Sequence, residues 1–246
     1  MTCDLLINIA RCLETEKARS NQNHPCYRVA TAQINYPLHH ESHLPEPWSG
    51  SLEKAKILFV GSNPSIDYDE DFPTAEWSDD KIRDFFENRF GSGHKVWTKQ
   101  NKVLYKNGSY SRANSTWSEI SNRATEILGR EAVPGIDYAL TETVRCKSRN
   151  AEGVKEARNK CMERHFAATL AASNARIIIA LGEHARAAVG QMCLGKILGS
   201  APVVQRTADQ EKVFLAIGKA GSNKPRKLPE ALPRGIDDLA LIREFL

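Results

Sequence analysis

Four short apolar runs constrain the fold of this chain more than any other feature: Lys56-Ile57-Leu58-Phe59-Val60, Tyr138-Ala139-Leu140-Thr141, Arg176-Ile177-Ile178-Ile179-Ala180-Leu181 and Val213-Phe214-Leu215-Ala216-Ile217. Each is short for a helix and lacks the polar alternation of a half-exposed strand, so each reads as a strand covered on both faces. Segments with a helical apolar period lie between them, at roughly residues 79–89, 115–128, 153–172 and 183–193. Strands separated by helix-length segments pair in parallel through right-handed crossovers. The expected fold class is therefore α/β and doubly wound, with a central four-stranded parallel sheet flanked by helices. Ligands of such sheets bind beyond the carboxyl ends of the strands, so functional residues should follow Val60, Thr141, Leu181 and Ile217.

The 246 residues suit one sizeable core, and residues 1–246 read as a single unit in which residues 1–50 pack on that core. Leu5, Leu6, Ile9, Ala10 and Leu13 predict one amphipathic helix over residues 4–19, followed by an irregular segment at 24–50. No run approaches the roughly 18 apolar residues that span a bilayer. The N-terminus lacks the layout of a signal peptide, which predicts a cytoplasmic protein that does not enter membranes. In that compartment Cys3, Cys12, Cys26, Cys146, Cys161 and Cys193 are expected as free thiols or metal ligands rather than disulfides. The net charge of +4 favours phosphate binding without requiring it.

The first run ends in Gly61-Ser62-Asn63-Pro64-Ser65, in which a glycine lets the chain turn and a proline fixes its exit. Alone, this is an ordinary strand-to-loop turn. Together, Ile57-Leu58-Phe59-Val60-Gly61-Ser62-Asn63-Pro64 resembles the first motif of the uracil-DNA glycosylase superfamily, a buried strand followed by Gly-x-Asn-Pro or Gly-x-Asp-Pro. Leu140-Thr141-Glu142-Thr143-Val144-Arg145-Cys146 is similar to the Ile-Thr-Asn-Val-Val-Lys-Cys segment of the superfamily's iron–sulfur members. Ile177 to Ala185 is similar to their strand-Leu-Gly-x-x-Ala element.

This resemblance implies a monofunctional DNA glycosylase that acts on DNA as a monomer, flips a base out of the helix and hydrolyses its N-glycosidic bond. It implies that Asn63 positions the attacking water; an amide cannot take a full proton, so Asn63 is not read as a general base. Gly61 and Ser62 would border the base. Phe72 is the expected stacking ring, with packing in the core as the alternative and Trp77 nearby. The acidic run Asp67, Asp69, Glu70 and Asp71 reads as a solvated loop, or as the source of a second polar contact or general base.

Glu142 departs from the family pattern, which has an asparagine there to read uracil. An ionised carboxylate offers no donor to O4 but accepts from the N4 amino group of cytosine. With a raised pKa it could also share a proton with N3 and so activate a poor leaving group. The expected base is a modified cytosine, as on hypermodified viral DNA, which suggests an antiviral defence role. Pairing of Glu142 with Arg145 is the structural alternative, and uracil removal in base-excision repair the functional one.

After the last run, most superfamily members carry a His-Pro-Ser or Asn-Pro-Ser motif. Residues 218–227 of this chain contain no histidine. Lys219, Ser222, Asn223, Lys224 and Arg226 are the expected base or phosphate contacts there, against the alternative of a solvated basic turn. Cys146 and Cys161 lie fifteen residues apart, which resembles the spacing of two cluster ligands in the iron–sulfur members. Cys12, Cys26, Cys146 and Cys161 form the expected ligand set of a [4Fe–4S] cluster, although the family's N-terminal Cys-x-x-Cys is missing and Cys3 could replace Cys12. Zinc, on these cysteines or with a member of the His39-His40-Glu41-Ser42-His43 run, and no metal at all remain alternatives. Cys193 reads as a core residue. A non-catalytic DNA-binding module on the same fold is the second functional class. A nucleotide-binding protein is disfavoured because no phosphate-cradling glycine loop is present.

Overall fold

The structure is a computed structural model that describes residues 2–34, 42–91, 95–206, 210–218 and 227–246. Among these residues the strands are β1 (Ile57–Gly61), β2 (Thr98–Lys99), β3 (Lys102–Val103), β4 (Tyr138–Glu142), β5 (Ile177–Leu181), β6 (Val203–Arg206) and β7 (Glu211–Ile217). The main sheet has the order β4-β1-β5-β7-β6. Its first four strands are parallel, as expected, and β6 is added antiparallel to β7 at the edge. No apolar run marks β6, because its residues are half-buried or exposed and its end carries Arg206 beside Glu211.

The unbroken apolar character of the strands follows from coverage on both faces. Leu58 and Val60 of β1, Ile178 and Ala180 of β5, and Phe214 and Ala216 of β7 enter one core. Ile57 and Phe59, Ile177 and Ile179, and Val213 and Leu215 enter the other. Each of the fully buried valine, leucine, isoleucine and phenylalanine side chains contributes about 1.5–3 kcal/mol relative to exposure. The helix expected over 4–19 divides into α1 (Thr2–Ala10) and α2 (Leu13–Arg19) with Cys12 at the break, and α3 (Tyr27–Thr31) follows within the segment expected to be irregular. Leu6, Ile9 and Ala10 of α1 join the first core.

The later helices are α4 (Asp79–Glu87), α5 (Ser115–Leu128), α6 (Val154–Cys161), α7 (Ala167–Ala172), α8 (Gly182–Leu194), α9 (Leu228–Ala231) and α10 (Ile236–Arg243). Asn114 caps α5 by accepting from Thr116 and Trp117, and Gly129 ends it at φ 69°, where a side chain would be strained. A π-helical turn at Met162–Phe166 joins α6 to α7. Cys193 packs against the first core, as the sequence suggested.

A buried ionic network ties the loops at the carboxyl end of the sheet. Arg89 donates to Glu46 at 2.8 Å, Ser49 at 2.9 Å and Glu70 at 2.6 Å, while Lys147 donates to the other oxygen of Glu70 at 2.6 Å. Burial works to raise the Glu70 pKa, but Lys147 and Arg89 outweigh it and hold the carboxyl at about 2. With both oxygens paired and a proton affinity this low, Glu70 is not the general base that the acidic run suggested. Asp71 is likewise paired, with Lys95.

Glu70→Gln leaves the buried Lys147 without its counter-charge and Arg89 with Glu46 alone, a change that typically costs about 3–5 kcal/mol. Urea denaturation near neutral pH is expected to show that loss. The native pKa lies below the ordinary value of 4.5, so the ionic contribution is full above about 4.5 and fades as pH falls toward 2. The difference between variant and wild type should shrink over that window.

Candidate active site

A cleft of about 1480 Å³ opens at the carboxyl end of the sheet. The turn after β1, the loop after β4 and the start of α8 at Gly182, Glu183 and His184 line it, as three of the four strand ends predicted. Continuation of the β1–β4 ladder past the strands positions the turn. Thr143 N donates to Gly61 O at 2.9 Å, Val144 N to Ser62 O at 3.0 Å and Ser148 N to Pro64 O at 3.1 Å. The Thr143 hydroxyl adds a bond to Ser62 O at 2.8 Å.

Asn63 lines the cleft with its amide fixed. Its Nδ2 donates to Pro64 O at 3.0 Å and to Ser148 Oγ at 3.1 Å. A backbone carbonyl can only accept, which sets the amide orientation and leaves Oδ1 as the acceptor still available, with only a long 3.4 Å contact from Ser62 Oγ. An acceptor held in this way can orient a water. Ser148 and Glu46 were not singled out from the sequence; a serine six residues beyond the end of β4 carries no local signal.

Glu142 ends β4 opposite Gly61. A methyl group on Gly61 would fall 2.1 Å from Glu142 Oε2, so the glycine makes room for the carboxylate. Oε2 is shielded from solvent and has no hydrogen-bond partner among the described residues. Burial, assisted by the negative charge of Glu46 and opposed by Arg145, pushes the Glu142 pKa up to about 8. The alternative pairing with Arg145 is not made. That guanidinium donates to Pro47 O, to Thr141 Oγ1 and, at 3.0 Å, to Thr169 Oγ1. Burial thus favours the protonated form of Glu142 beside the turn that carries Asn63.

Phe72, expected on the cleft wall, lies in the first core with 1% exposure. It stacks on His43 at 4.9 Å and meets Phe85 and Phe86 edge-on. Lys147 Nζ sits 3.6 Å from its ring centre. Its place in the fold is thus beneath the ionic network, and Trp77 packs against Phe85 and Trp97. Aromatic residues on the cleft include Phe90, Tyr105, Tyr110 and Trp117. Lys219, Ser222, Asn223, Lys224 and Arg226 lie outside the described residues, as do His39, His40 and Glu41.

Cys12, Cys26, Cys146 and Cys161 line a second, smaller pocket together with Thr15, Arg145 and His165. All four are free thiols. Cys12 Sγ lies 3.2 Å from His165 Nε2, and Arg145 N donates to Cys161 Sγ at 3.4 Å. Burial pushes the Cys26 thiol up to about 12, and those of Cys146 and Cys161 above the ordinary range. No group of three or more His, Cys, Asp or Glu among the described residues is arranged to hold a metal ion. Nor is any helix among them long and apolar enough to cross a membrane.

The family model described as Uracil DNA glycosylase superfamily matches residues 47–231, three quarters of the chain. The chain belongs to this superfamily. Its members are generally DNA glycosylases and bind DNA, and the match spans the turn after β1, the loop after β4 and the start of α8. No curated protein matches the chain.

Removing the Ser148 hydroxyl frees one of the two anchors of the Asn63 amide. Ser148→Ala is expected to lower the turnover of a processed substrate on the order of ten-fold, with KM for DNA little changed, because misorientation of a positioned water costs rate rather than binding. Thermal unfolding should stay close to wild type, and single-turnover kinetics provide the check.

Proposed function

We propose that this superfamily member is a monofunctional DNA glycosylase whose substrate is a flipped, modified cytosine. The observation that carries the reading is the buried Glu142 Oε2, which lines the cleft with Asn63, has no hydrogen-bond partner among the described residues, and belongs to a carboxyl whose pKa burial raises to about 8. A carboxylic acid offers one O–H donor and one carbonyl acceptor, which match N3 and the N4 amino group of cytosine. Unlike the amide that the family has at this position, it can also transfer its proton. Cytosine needs such a proton to depart, whereas uracil leaves more readily as an anion.

In this reading Asn63 Oδ1 holds water against C1′. The C1′–N1 bond breaks toward an oxocarbenium-like sugar, with its electron pair leaving on the base, and Glu142 offsets that charge by donating at N3. The water oxygen then bonds C1′ and its proton passes to solvent, leaving an abasic site. No lysine is assigned a Schiff-base role, so the strand stays intact. Excision of hypermodified cytosine would suit defence against viral DNA. The same neutral acid also matches the O4 and N3–H edge of uracil, so uracil is the second reading.

Incubation with DNA duplexes carrying uracil, cytosine or modified cytosines, followed by analysis for alkali-labile sites, tests the proposal. Release of a modified cytosine is expected, with Asn63→Ala slower by on the order of 10²-fold. Release of uracil alone would contradict the cytosine reading. The acid form of Glu142 is present below its pKa and lost above it, so cleavage should decline as pH rises through about 8. Glu142→Gln, which keeps a donor and an acceptor but no transferable proton, should lose activity on the cytosine substrate.

The second pocket supports a [4Fe–4S] cluster on Cys12, Cys26, Cys146 and Cys161. The support for this reading is that four cysteines line one pocket, the number of thiolates such a cluster takes. When bound, such a cluster supplies covalent ties between the N-terminal helices and the loop after β4. Protein purified without oxygen is expected to absorb near roughly 400 nm and to contain about four iron atoms per chain, with both lost in Cys146→Ser. Colourless, iron-free protein would exclude the cluster.

A further inference from the structure

Residues 95–112 contain Lys95, Lys99, Lys102, Lys106 and Arg112 and no aspartate or glutamate. This charge of +5 exceeds the +4 of the whole chain, so the remainder is net acidic. The segment begins with the two-stranded β2–β3 hairpin. Its turn residues, Gln100 and Asn101, have φ of 51° and 61°, the left-handed values that a tight two-residue hairpin requires. Gln100 lacks the small or locally bonding side chain usually found there, so the turn is not optimised for stability.

The hairpin places Lys99 directly opposite Lys102. Side chains so paired share one face with Cβ atoms about 5 Å apart, and like charges in that position repel. Neither lysine forms an ion pair among the described residues, nor does Arg112. On the neighbouring acidic loop Glu70 is held by Arg89 and Lys147 and Asp71 by Lys95, while Asp67 and Asp69 line the cleft without forming an ion pair with Lys99, Lys102 or Arg112 among the described residues. Three cations without counter-charge, two of them forced together, define a site that an anion would stabilise.

The hairpin segment also borders the cleft. Asn114 N donates to Asn101 O at 2.7 Å, Lys106 N to Asp69 O at 2.9 Å and Asp71 N to Leu104 O at 2.9 Å, so it is bound to the cleft's rim on two sides. Tyr105, Tyr110 and Arg112 line the cleft itself. A polymer with regularly spaced negative charges that enters the cleft would pass along this edge.

We infer that Lys99, Lys102 and Arg112 form a phosphate-binding edge that holds the DNA backbone beside the base entering the cleft. This rests on the glycosylase reading for the identity of the polyanion. The edge binds backbone and not base, so it acts on affinity and salt dependence and not on the chemical step.

The test uses the full chain and fluorescein-labelled duplex of unmodified sequence, followed by anisotropy between about 50 and 200 mM salt. The variant Lys99→Ala/Lys102→Ala/Arg112→Ala is expected to bind at least ten-fold more weakly at the low-salt end. Its plot of log K against log salt should be shallower by about 2–3, close to 0.9 for each phosphate that the protein no longer neutralises. Lys99→Arg/Lys102→Arg/Arg112→Lys, which keeps the charges, should retain the wild-type slope. Wild-type affinity and slope in the alanine variant would overturn the inference, as would equal losses in the charge-conserving variant. Because the duplex carries no substrate base, failure to release any base would count against the glycosylase reading and leave this result standing.

Discussion

The candidate site depends on the hydrogen bonds that carry the β1–β4 pairing beyond the ends of the strands. Gly61 O, Ser62 O and Pro64 O each accept a backbone N–H from the segment Thr143–Ser148. A turn after a strand would ordinarily be free to choose among conformations. Here three carbonyls are committed, and Ser148 then uses its hydroxyl to fix the Asn63 amide. The same pairing puts Glu142 opposite Gly61, where only a glycine leaves space for the carboxylate. In the proposed reading, water positioning and base recognition are two consequences of one ladder.

Charge burial around that ladder is selective. Glu70 is buried with two cations and stays ionised, while Glu142 is buried near another carboxylate and holds its proton. The first arrangement fixes the loops that bear residues 46–49, 70, 89 and 147. The second stores an acid where a departing base would need one. Burial penalises the charged form of both groups, and the neighbours decide the outcome. Arg145 belongs to neither, because backbone and threonine oxygens occupy its guanidinium.

The parallel sheet was legible because β1, β4, β5 and β7 are covered on both faces and therefore apolar without interruption, whereas β6 has no such run and was not. The break at Cys12 was hidden because the helical period of Leu5 to Leu13 continues across it. Asn63, Glu142 and the cysteine quartet were legible through short motifs and spacing, and the structure brings each group together. Phe72 was misplaced because its distance along the chain from the turn says nothing about which way the intervening loop folds. The roles of Ser148, Arg89 and Lys147 depend on contacts across 19 to 85 residues, which no local pattern records. The basic segment 95–112 was visible as a run without carboxylates, but its meaning required the register that sets Lys99 against Lys102.

The central claim is that Glu142 is a neutral acid in the free protein. Carbon-13 NMR of the glutamate side-chain carboxyls, with Glu142 assigned by comparison with Glu142→Gln, measures this directly. The account predicts one resonance that titrates near about 8 and is absent from the variant. Titration of Glu142 near the ordinary value of 4.5 would contradict it.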